Sequence, residues 1–86
     1  MAEQKVGVVI HYWNHIEVAG VHMTDGELRI GDTIRVKGHT SDFTQRIGSL
    51  QVDNQTVEVA RAGDDVGLKV AEYTREHDEV FKVTEG

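Results

Sequence analysis

The chain has 86 residues, 15 acidic against nine basic, a formal charge of −6, and neither cysteine nor proline. That length supports one small domain, residues 1–86 with a core over roughly 6–83, burying only about 60% of its unfolded surface. The lack of cysteine excludes disulfides and thiolate metal sites and fits a reducing, cytoplasmic setting.

The opening MAEQKVGVVIHYW carries too short an apolar run for a signal peptide. No window approaches the ~20 apolar residues of a membrane span, so no membrane association is expected. The bases Arg29, Arg35, Lys37, Arg46, Arg61 and Lys69 are dispersed among acids and apolar residues. This pattern argues against tight, autonomous binding of nucleic acid, which rests on clustered cations.

Apolar residues recur with period two along most of the chain, the mark of half-buried strands. Val6–Trp13 and Val18–Met23 read as the first two strands, joined by Asn14-His15-Ile16-Glu17. Thr33–Lys37, Phe43–Val52, Asp65–Ala71 and Val80–Val83 complete the set. Turn signals stand between them at Asp25-Gly26, Gly31-Asp32, Lys37-Gly38, Asp53-Asn54 and Gly63-Asp64. Six short strands in this order predict an antiparallel barrel or sandwich. Closure would remove the exposed edges that endanger a small β protein.

Gly31-Asp-Thr-Ile-Arg-Val-Lys37 and Gly63-Asp-Asp-Val-Gly-Leu-Lys69 share a pattern: Gly-Asp, an alternating strand, then lysine. Glycine supplies positive φ, and the aspartate can bond nearby backbone N–H groups, so Gly31, Asp32, Gly63 and Asp64 are expected to build turns. The run Asp25-Gly-Glu-Leu-Arg-Ile-Gly-Asp-Thr-Ile-Arg-Val-Lys-Gly38, then Ile47-Gly-Ser-Leu50, then Ala60-Arg-Ala-Gly-Asp-Asp-Val-Gly-Leu68, resembles the second domain of translational GTPases such as elongation factor Tu.

This resemblance implies a six-stranded Greek-key closed β-barrel. It implies a non-catalytic, translation-factor-like module whose partner is a protein or a ribonucleoprotein, with weak contact to RNA or a tRNA end as the alternative. In the Tu-like members the residue after A-G-D is commonly an asparagine that helps hold the aminoacyl end of tRNA. Asp65 stands there in this chain, and a carboxylate accepts hydrogen bonds where an amide also donates them. No GxxxxGK[ST] loop is present, so the chain is not expected to bind GTP on its own, and Asp64-Asp-Val-Gly67 is no substitute. Similar barrels also end collagenase-like peptidases.

Within HYWNHIEVAGVH, a loop at residues 14–17 would set Trp13 opposite Val18, His11 opposite Gly20 and Val9 opposite His22. Val8, Ile10, Tyr12, Ala19, Val21 and Met23 then form the core face. His11, Trp13 and His22 share the outer face, with His15 in the loop nearby. A one-residue slip would exchange the faces. Two converging histidines are too few for a structural metal centre, so no metal or other cofactor is expected. Trp13 with His11, His15 and His22 is the candidate contact patch, for a protein or an unpaired base, against the alternative of ordinary outward-facing residues. His39-Thr-Ser-Asp42 reads as a polar loop; adjacency in sequence does not make a catalytic triad.

Overall fold

The computed structural model describes residues 2–84. Ten strands run in chain order: β1 Ala2–Trp13, β2 Val18–Met23, β3 Glu27–Arg29, β4 Thr33–Lys37, β5 Asp42–Arg46, β6 Gln51–Val52, β7 Gln55–Thr56, β8 Val59–Arg61, β9 Asp65–Lys69 and β10 Glu79–Thr84. Eight of them form one antiparallel sheet in the order β5-β4-β10-β1-β2-β9-β6-β7, while β3 and β8 pair separately. The described residues consist of strands, turns and loops, and no helix among them is long and apolar enough to cross a membrane.

Alternate side chains of each strand point to one interior. Ala19, Val21 and Met23 of β2, Ile34 and Val36 of β4, and Val66 and Leu68 of β9 are all buried in a single apolar cluster. Leu28 and Ala60, paired across β3 and β8, lie in the same cluster, so the small sheet caps the core of the large one.

The strand count departs from the six expected. β3, β7 and β8 are two or three residues long, too short to display a period. The run from Phe43 to Val52 divides into β5 and β6 because the chain leaves the ladder at Ile47, whose N–H bonds Asp32. The backbone ladder also keeps two ends, β5 and β7, and does not close on itself. At the β5 end a side chain takes over. Gln45 Nε2 donates to the Lys69 carbonyl at 2.9 Å, and its Oε1 accepts from the Ala71 N–H at 2.6 Å. One primary amide here offers the donor and acceptor that a neighbouring strand would supply.

Three copies of one turn brace the fold. In Arg29–Asp32, Arg61–Asp64 and Arg75–Asp78 the last N–H donates to the first carbonyl at 3.0–3.1 Å. The aspartate Oδ2 in turn accepts from the first residue's N–H at 2.8–2.9 Å. The third residue of each has positive φ: Gly31 at +96°, Gly63 at +94° and His77 at +76°. The third copy is invisible to a search for Gly-Asp because a histidine stands where the glycine would be.

That third turn also revises the first hairpin. His77 N–H donates to the Val9 carbonyl and Val9 N–H donates to the Asp78 carbonyl, both at 2.8 Å. Trp13 pairs with Val18 and His11 with Gly20, but the register shifts between Val9 and His11, leaving Ile10 as an unpaired extra residue. Such a bulge reverses the sense of alternation beyond it. Val9 is therefore buried and faces Val21, Val8 faces His22, and Ile10 is 48% exposed. The core assignments of Val8 and Ile10, and the pairing of Val9 with His22, are corrected accordingly.

Candidate binding groove on the outer face

The bulge at Ile10 exposes a large apolar side chain next to Trp13, and the outer face of β2 and β9 lies beside them. There Gly20 pairs with Gly67 across the two strands, a cross-strand position without side chains. Trp13 leans over this gap: its ring atoms Cζ3 and Cη2 lie 3.1 and 3.2 Å from where a Cβ on Gly20 would stand. The His11 ring meets the indole edge to face with centroids 4.5 Å apart, fixing the tryptophan from behind.

The result is a groove of about 430 Å³ with the two glycines as its floor. Ile10, Trp13, Ile16 and Val18 form one wall, and Gln51, Asp53, Asn54 and Asp65 supply the polar rim opposite. Its volume falls within the ordinary range of ligand pockets, about 300–1,000 Å³. Trp13 is 41% exposed and Ile16 54%, so the apolar wall faces solvent.

Local rules place the rim. Asp53 and Asn54 both have positive φ, +52° and +63°, as a two-residue hairpin turn demands, and they carry the strand pair β6–β7 beside β9. Asp65 opens β9 opposite His22, whose Nδ1 lies 2.6 Å from the Asp65 Oδ1. That contact pins one carboxylate oxygen at the groove's end. Ile16 is held by the four-residue loop, in which Glu17 takes φ +54° and its carbonyl accepts from the Val70 N–H.

The residues of the expected patch are thus divided. Of its four members only Trp13 lines the groove, where it meets Asp65, the position singled out by the family motif. His11 supports Trp13 and lines a separate shallow cleft with Tyr12, Tyr73, Thr74, Arg75 and Glu76. His22 stands behind Asp65, and His15 lies exposed in the loop without lining the groove. Gly31, Asp32, Gly63 and Asp64 lie in the bracing turns and line no part of it. Sequence reasoning missed Ile10, Ile16 and Tyr73; Asp53 and Asn54 were visible only as a turn. Among the described residues no three His, Cys, Asp or Glu side chains converge in a way that could hold a metal ion.

Fold and groove together define a small all-β domain with an open cleft on the outside of its sheet. The family described as elongation factor Tu domain 2 matches residues 17–80, and the chain belongs to that family. Two of the relatives it matches carry the names of peptidases. An uncharacterized protease of Methanocaldococcus jannaschii is 32% identical over 82 residues, which cover 94% of this chain and 20% of that protein. A collagenase of Porphyromonas gingivalis is 33% identical over 78 residues, covering 90% of this chain and 22% of that protein. The chain therefore spans about a fifth of the length of the curated relatives it matches.

Among solved structures, the C-terminal domain of a protein described as a U32 peptidase of Geobacillus thermoleovorans superposes with a TM-score of 0.87. It is 23% identical, with 94% of this chain and 93% of that one covered. The names of these relatives overturn the expectation of a translation elongation factor-like module. The physical reason lies in what the shared motif encodes. G-x-L-x-x-G-D-x-I and A-G-D-x-V-G-L spell a strand, a positive-φ turn and the next strand, which this fold needs whatever protein carries it.

Proposed function

We propose that the chain is a non-catalytic, polypeptide-holding accessory domain of a U32-type, collagenase-like peptidase, keeping an extended protein segment in the Trp13 groove. The observation that carries this is the groove itself, an exposed tryptophan over a floor of two paired glycines. Aromatic side chains dominate binding energy at protein contacts, and missing side chains let a second backbone approach closely. The names of its relatives, proteases and a collagenase, support a polypeptide as the occupant.

Several features favour a holding role over a chemical one. The Asp65 side chain is 69% exposed, and no hydroxyl or thiol side chain lines the groove. A hydrolytic nucleophile needs an adjacent base within hydrogen-bond reach, and two solvated carboxylates do not supply that arrangement. The same reading takes the curled sheet as a barrel whose seam beside β5 is closed by the Gln45 amide.

Trp13 is the only tryptophan, so its emission reports on the site directly. Titration with denatured collagen should quench or shift that emission and move the backbone NMR signals of Trp13, Gly20 and Asp65. A titration that leaves all of these signals unmoved at saturating denatured collagen would overturn the proposal.

A further inference from the structure

We infer that the groove receives a lysine or arginine side chain of the polypeptide it holds, an inference that rests on the polypeptide-holding reading above. The charge at the site is one-sided. Of the side chains lining the groove two are carboxylates, Asp53 and Asp65, and none is cationic, so any charged group it accepts must be positive. Asp53 forms no ion pair among the described residues, and Asp65 bonds only His22 through Oδ1. Both therefore keep acceptor oxygens for an incoming N–H donor.

The apolar wall suits the rest of such a side chain. An aliphatic stem can lie over Gly20 and Gly67 against Trp13 while its charged head reaches the rim, the way long cationic side chains ordinarily divide between apolar and polar surroundings. The indole adds a cation–π surface to the carboxylates. The formal charge of −6 on the whole chain reinforces the attraction at longer range.

The test uses two capped hexapeptides identical except for one central residue, lysine in one and uncharged norleucine in the other. Binding is followed by NMR shifts of the Trp13 indole and the Asp65 amide at physiological salt. The lysine peptide should bind about ten-fold more tightly, a size set by one cation–π contact and two solvated charge pairs. That preference should vanish in the double variant Asp53→Asn, Asp65→Asn, whose substituted side chains keep their shape. Trp13→Ala should weaken both peptides.

Equal binding of the two peptides by the unaltered chain overturns the cationic subsite and leaves the polypeptide-holding role standing. Binding of neither peptide overturns both. A lysine preference that persists in the double variant overturns the assignment to Asp53 and Asp65.

Discussion

The indole of Trp13 lies against Gly20 on the neighbouring strand, within 3.2 Å of where any Cβ would stand. The contact makes Gly20 a determinant of the groove: only a residue without a side chain leaves room for the ring to lie over β2. In Gly20→Val the branched side chain should lift Trp13 off the strand and fill the floor. The expected outcome is a red-shifted tryptophan emission, loss of polypeptide binding, and a melting temperature lower by several degrees, matching about 1–3 kcal/mol. Unchanged emission in a folded Gly20→Val protein would show that the ring does not depend on this gap.

A second prediction concerns the seam. Gln45 both donates to Lys69 and accepts from Ala71, and each of those backbone groups loses its partner if the amide goes. Gln45→Leu should destabilise by about 1–3 kcal/mol. Gln45→Glu should recover only part of this, since a carboxylate can accept from Ala71 but cannot donate to Lys69. Urea unfolding of the three proteins gives the ranking, and identical midpoints would exclude a role for the amide.

The third bracing turn carries a histidine where its two counterparts carry glycine, at φ +76°. His77→Gly should therefore stabilise the fold by about 0.5–1 kcal/mol, because a side chain in left-handed backbone is strained. His77→Val should do the reverse. Thermal melts decide it; a lower melting temperature for His77→Gly would mean that the imidazole contributes more than its strain removes.

Acid sensitivity should follow the surface ion pairs. The Arg35 guanidinium donates to both Asp42 oxygens at 2.9 Å and holds that carboxyl below its ordinary range; Arg29, donating twice to the Glu27 Oε1, lowers that carboxyl too. A carboxyl with a lowered folded-state pKa stabilises the protein above its unfolded pKa, and that stabilisation fades as the pH falls through the folded value. Stability should accordingly decline as the pH drops below about 4. In Arg35→Gln this acid limb should be shallower, while stability near neutral pH changes little, as exposed pairs contribute little. A limb of equal slope in both proteins would remove Asp42 from the account.

Much of the fold could be read directly. The strands at Val18–Met23 and Thr33–Lys37 stand where period-two alternation places them, and the all-β class follows from the same pattern. The resemblance to the second domain of elongation factor Tu led to the right family and the wrong function, since its motif describes turns that serve any protein using this all-β fold. The groove was only half visible. Trp13 above Gly20 follows from pairing across a four-residue loop, but Ile10 was assigned to the core.

What the sequence by itself determined is therefore local: strands with one apolar face, a four-residue loop between Trp13 and Val18, and glycines where backbone must turn or a ring must pass. The tertiary structure decided which face of β1 looks inward. That choice depends on Val9 bonding His77 and Asp78, residues far along the chain whose approach no local pattern records. It also decided that Trp13 and Ile10 should face Asp53 and Asp65. Strands β1, β2, β9 and β6 stand side by side through backbone pairing between segments far apart in sequence, and the groove lies on the face they turn away from the buried valines and leucines.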